Sequence, residues 1–80
     1  MSKRLDAMRR NPQSDWKIAD VEALCKEFDI ICSPHRGGSS HYKVGHPTQN
    51  EILTIPFKRP IKPVYIRNLV KFIDAVRNLQ

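Results

Sequence analysis

Residues 38–57 read GSSHYKVGHPTQNEILTIPF, and the spacing inside this stretch decides the fold. Successive side chains of an extended chain point to opposite faces. Over 39–45, Tyr42 and Val44 therefore fall on one side, and His41 and Lys43 on the other. A second alternating run over 51–57 brings Leu53, Ile55 and Phe57 to one face. Between them, His46-Pro47-Thr48-Gln49-Asn50 is made of turn formers and reads as a hairpin loop. Upstream, His35-Arg36-Gly37-Gly38 is a glycine turn. It follows a short apolar run over 30–33 that Pro34 ends. Three strands in succession are expected.

Helical periodicity lies on either side of them. Ile18, Val21, Leu24, Cys25 and Phe28 recur at steps of three and four, which predicts a helix over 18–29. Asp20 and Glu22 sit near its start, where the macrodipole favours acids. Trp16, just before it, is expected to pack beside Val21 or Asp20. After a link through Lys58-Arg59-Pro60-Ile61-Lys62, Pro63 suits the first position of a last helix. Ile66, Leu69, Val70, Ile73 and Val76 form its buried stripe. Tyr65, Phe72 and Leu79, seven apart, form an adjacent stripe. It reads as extended core, or alternatively as an exposed apolar strip for a partner.

Residues 1–15 are polar. Ser2 suits the cap of a short helix with Leu5 and Met8 on one side, and Pro12 would stop it. This segment is expected to be a basic extension, ordered only if Leu5 and Met8 find a groove, with 16–80 as the main domain. Helix, three strands, helix makes an α+β domain. Its three-stranded antiparallel sheet is covered by helices on one face and open on the other.

Eighty residues make one domain with a modest core. Fourteen Lys and Arg against eight Asp and Glu leave a net charge of +6, which favours polyanionic partners. No apolar run approaches the roughly 18 residues of a membrane span, and MSKRLDAMRR lacks a signal-peptide core. A cytoplasmic protein with no membrane partner is expected. Cys25 and Cys32 are too few for a disulfide framework and read as reduced residues in or near the core.

The segment Gly38-Ser39-Ser40-His41-Tyr42-Lys43-Val44 carries the chemistry. Histidine is the side chain that gains and loses a proton near neutrality, and here it shares an open face with a lysine. RNA brings its own nucleophile, the 2′-hydroxyl. A protein needs only to take that proton, steady the phosphate and protonate the leaving oxygen. His41 is the candidate catalytic residue. Lys43, with Arg36, Lys58 or Arg59, suits the charge on the phosphorane, and the backbone of Gly38, Ser39 and Ser40 suits a phosphate. The plainer reading makes His41 a polar strand residue facing water. Ser39 and Ser40 lack the G-x-S-x-G setting of a hydrolase nucleophile. His35, His41, His46, Cys25 and Cys32 lack the paired spacing of zinc ligands, so neither metal nor cofactor is expected.

The run Gly38-Ser39-Ser40-His41-Tyr42-Lys43-Val44, then Ile52-Leu53-Thr54-Ile55-Pro56-Phe57, then a lysine–proline opening to the final helix, resembles the HicA family of toxins. Trp16-Lys17-Ile18-Ala19-Asp20-Val21-Glu22-Ala23-Leu24 is similar to that family's first helix, so the likeness spans about residues 16–77. The chain differs in its longer first 15 residues and in Lys58, where a histidine often stands. The resemblance implies a double-stranded-RNA-binding-like α-β-β-β-α fold and metal-independent cleavage of mRNA by a strand histidine, His41 here. It also implies a HicB antitoxin that covers the active site. Two other readings compete. One is a non-catalytic RNA-binding module on the same fold. The other is a DNA-binding protein, for which Arg67, Lys71 and Arg77 on the last helix are too scattered to form a recognition face.

Overall fold

Strands β1 (Ile31–Pro34), β2 (His41–Gly45) and β3 (Leu53–Pro56) pair antiparallel in the order β1-β2-β3. The coordinates are those of a computed structural model, in which residues 2–34, 41–56 and 58–78 are described. Val44 lies opposite Cys32 on β1 and Leu53 on β3, and Tyr42 lies opposite Pro34 and Ile55. These positions face the helices: Val44 and Ile55 are fully buried, and Cys32 and Leu53 pack against the core. The molecule is an α+β domain with a three-stranded open sheet, as the alternation predicts. Pro34 ends β1 inside the ladder rather than beyond it. An edge strand tolerates proline, because one side of its backbone has no neighbour to bond.

Helix α2 (Ile18–Glu27) packs on β1, and α3 (Pro63–Asn78) packs on β3. At the start of α2 the Lys17 backbone N–H donates to the Asp20 carboxylate at 3.0 Å. The helix stops two residues short of the predicted end. Asp29 takes a left-handed φ of 56°, and the Ile30 N–H turns back to the Cys25 carbonyl at 2.8 Å. That pattern satisfies the carbonyls left over at a helix end. Ile66, Leu69, Val70, Ile73 and Val76 of α3 are buried as their spacing predicts. Trp16 is half-buried against the core, and its indole N–H donates to the Asn11 carbonyl at 2.8 Å.

Residues 1–15 do more than extend the domain. Helix α1 (Lys3–Arg10) forms, with the Ser2 hydroxyl accepting from the Leu5 N–H at 3.1 Å. It lies on α3 and α2, and the groove its order depends on is present: Leu5 is 1% exposed and Met8 0%. Arg4 pairs with Glu27 at 2.7 Å, and Arg9 grips both oxygens of Asp74 at 2.8 Å. The Arg9 guanidinium, by its hydrogen bond first and its charge second, holds the Asp74 carboxyl below the usual range. Both pairs are partly exposed, so they orient the helix more than they stabilise it. Burial of Leu5 and Met8 supplies most of the attachment.

Both cysteines are free thiols between α2 and β1, and they hydrogen-bond each other. That bond, then burial, pushes the Cys25 thiol up, and the same bond holds the Cys32 thiol below its ordinary value.

Candidate functional site

The face of the sheet turned away from the helices is built by strand alternation. It carries Ile31 and Ser33 from β1, His41, Lys43 and Gly45 from β2, and Ile52, Thr54 and Pro56 from and beside β3. His41 pairs with Pro56 across the ladder, and Lys43 sits between Ser33 and Thr54. His41 is half-buried and Lys43 exposed. Two residues along one strand stand roughly 7 Å apart, close enough for both to reach one phosphodiester. No carboxylate stands among the described residues of this face, so its formal charge is cationic. His41 and Lys43 are thus brought together as the sequence predicts.

The far end of the same face is apolar. Ile31 is 60% and Ile52 62% exposed, and they flank Gly45. A Cβ on Gly45 would stand 3.8 Å from Ile52 Cγ1, an ordinary contact. Sequence alone does not mark this exposed apolar surface. Ile31 lies within an apolar run and Ile52 within an alternating one, and neither pattern says which face a helix will cover.

On the opposite face, Tyr42 leans toward α2. Burial first, then the Glu22 carboxylate to which its hydroxyl hydrogen-bonds, pushes the Tyr42 phenol above its ordinary value. Tyr42 is half-buried rather than fully buried, because it lies at the sheet end beside Pro34.

The remaining candidates divide. Arg36, Gly38, Ser39 and Ser40 lie outside the described residues. Lys58 is exposed just past the end of β3. Arg59 is not an uncommitted cation. Its Nε donates to Asp15 at 3.1 and 3.2 Å and its Nη2 at 2.6 Å, and this contact lowers the Asp15 carboxyl and raises the guanidinium. The stripe of Tyr65, Phe72 and Leu79 does not stand out as an exposed partner strip. Phe72 is only 7% exposed and Tyr65 is half-buried against the core, because α3 lies with this side toward the sheet; Leu79 lies outside the described residues.

For metal chemistry, the described residues hold no group of three or more His, Cys, Asp or Glu placed around a common point. His46 is engaged in the β2–β3 loop, where the Thr48 N–H donates to its Nδ1 at 3.2 Å and the Thr48 hydroxyl lies 2.7 Å from the same nitrogen. Among the described residues, no helix is long and apolar enough to cross a membrane. Comparison with known proteins finds no family model, no curated protein and no solved structure that matches the chain.

Proposed function

We propose that the chain is a metal-independent endoribonuclease acting on mRNA, with His41 as its catalytic residue, and the toxin of a toxin–antitoxin pair. The observation that carries this reading is His41 and Lys43 side by side on an open sheet face with no carboxylate among its described residues. In the reaction, the His41 imidazole takes the proton of a ribose 2′-hydroxyl. The O2′–P bond forms, the P–O5′ bond breaks, and a proton is returned to the leaving 5′ oxygen. Lys43 stabilises the charge that builds on the phosphorane oxygens. The net charge of +6 draws RNA toward the face and makes binding salt-dependent.

A HicB-like antitoxin would silence the protein by covering the His41 face. Exposed Ile31 and Ile52 beside Gly45 supply apolar contact on the same face, at the opposite end of β2 from His41. Such a protein acts in the cytoplasm, where mRNA is found.

The test is cleavage of a mixed-sequence RNA by the wild-type chain and by His41→Ala, each with and without a chelator. Loss of one general acid or base costs about a hundred- to ten-thousandfold in rate. RNA affinity should change little, because the lysines and arginines remain. Melting should shift little, because His41 projects from the open face and leaves no core cavity. A His41→Ala protein that cleaves at the wild-type rate refutes the assignment. Cleavage that chelation abolishes refutes the metal-independent mechanism. RNA that binds tightly but is never cut by the wild-type chain favours the non-catalytic RNA-binding module.

A further inference from the structure

Beyond β3 the chain makes a depression of about 400 Å³ lined by Pro56, Lys58, Arg59, Pro60, Lys62 and Tyr65. We propose that it holds one unpaired nucleotide of a single-stranded RNA, its base on Tyr65 and the prolines and its phosphate between Lys58 and Lys62. The inference rests on the RNA-directed reading of the open face and adds where the strand goes after it passes His41.

The size suits a small ligand. The chemistry is mixed in the way a nucleotide requires. Two pyrrolidine rings and a phenol ring offer flat apolar surface. Three cations surround them, of which Asp15 offsets only Arg59. Among the described residues, neither Lys58 nor Lys62 makes an ion pair. The first turn of α3, which follows Lys62, carries no acidic residue, so nothing there repels a phosphate.

The depression is also held in shape. Ile61 is buried in the core, and its N–H donates to the Trp16 carbonyl at 2.9 Å. Two residues earlier, Arg59 is gripped by Asp15. Residues 59–61 are thus tied at two points to residues 15–16, while Pro60 and Lys62 stay exposed on either side of the buried Ile61. A site ordered before binding loses less entropy when the ligand arrives.

Position ties the depression to His41. Pro56 lines it and is also the cross-strand partner of His41. A strand whose phosphodiester lies at His41 and Lys43 would meet the depression by continuing past Pro56. The ligand is single-stranded because only an unpaired, unstacked base has a free face for an aromatic ring. A duplex shows the same phosphates but keeps its bases stacked on one another. An acidic peptide shows carboxylates but no flat ring.

The experiment uses the full chain carrying His41→Ala, so that RNA stays intact. Binding of a short labelled oligoribonucleotide and of its blunt duplex is followed by fluorescence anisotropy, with Tyr65→Leu, Tyr65→Phe and Lys62→Gln added in turn. Stacking on one aromatic side chain is worth about five- to hundredfold in affinity. Tyr65→Leu should weaken single-strand binding by that factor and leave duplex binding unchanged. Tyr65→Phe should retain affinity to within about twofold, since the ring remains. Lys62→Gln should lower the salt slope by about one phosphate contact. A folded Tyr65→Leu protein with unaltered single-strand affinity overturns the proposal, as does an equal loss for strand and duplex. Should Tyr65→Leu unfold, photocrosslinking of a 5-bromouridine oligonucleotide to the otherwise unaltered chain decides. A crosslink at Tyr65 supports the site, and crosslinks confined to other regions overturn it. A Glu-rich peptide that binds the same residues as tightly as the RNA also overturns it. Failure of the oligonucleotide to bind at all, even at low salt, defeats the RNA reading itself. Binding that ignores Tyr65 and Lys62 defeats only the nucleotide site.

Discussion

Met8→Ala should cost this protein a large part of its stability, although Met8 lies in a polar segment. Met8 is 0% exposed and belongs to the same buried cluster as Leu69, Ile73 and Val76. Truncating a fully buried methionine removes its transfer free energy and leaves a cavity, a loss of about 2–4 kcal/mol. A chain of 80 residues has a total of about 4–12 kcal/mol to lose, at roughly 0.05–0.15 kcal/mol per residue. The single substitution therefore removes between about a sixth and all of the stability. In a domain this small each kcal/mol moves the melting temperature by about 4–8 °C, so a fall of about 10–30 °C is expected. Arg9→Ala is the control. It deletes the most regular ion pair of the same helix, but that pair is partly exposed and is worth at most about 1 kcal/mol. Urea denaturation followed by far-UV circular dichroism measures both variants, and an unchanged m-value would show that only stability has changed. A Met8→Ala loss below about 1 kcal/mol, or one no larger than that of Arg9→Ala, would refute the claim that apolar burial holds α1 in place.

Other outcomes follow from individual contacts. The Asp74 carboxyl is depressed in the folded protein, so its contribution is complete above the unfolded pKa of about 3.9 and is lost as pH falls through the folded value. Asp74→Asn should therefore be less stable than wild type at pH 7 by up to about 1 kcal/mol, and the gap should narrow as pH falls through the folded value; a gap that does not narrow in acid would contradict this. Asp29→Gly should stabilise by up to about 1 kcal/mol in thermal melts, because glycine accepts φ of 56° without strain and the change removes a negative charge from a helix C-terminus; a lower melting temperature would count against it. Iodoacetamide should label Cys32 well before Cys25, whose thiol is buried and raised, and should reach Cys25 only in denaturant; equal rates in the native protein would be inconsistent with the hydrogen-bonded pair.

Much of the candidate site is legible before folding. Strand geometry alone places His41 and Lys43 together and opposite Tyr42 and Val44, since a period of two is a property of the extended backbone. Its surroundings are less legible. Arg59 reads as one more basic residue near His41, yet 44 positions separate it from Asp15, the group that holds it. Tyr65 reads as a member of a seven-residue stripe with Phe72. Residues on one stripe share a helix face but not a burial depth, and Tyr65 in the first turn ends at the rim of a depression where Phe72 is covered.

The chain's own sequence determined the elements, their order and the face each side chain takes. Those follow from local periodicity, from proline and glycine, and from caps formed within a few residues. Tertiary structure alone decided what each face meets. Leu5 and Met8 make an amphipathic turn in any setting, but only packing of α1 against both α3 and α2 excludes water from them. Cys25 and Cys32 become a hydrogen-bonded pair only because α2 folds back on β1. The basic link 58–62 becomes a walled depression only because Trp16 and Asp15 reach it from the other side of the chain. Local rules specify directions, whereas contacts between distant segments depend on burying the summed apolar surface, which no short window of sequence contains.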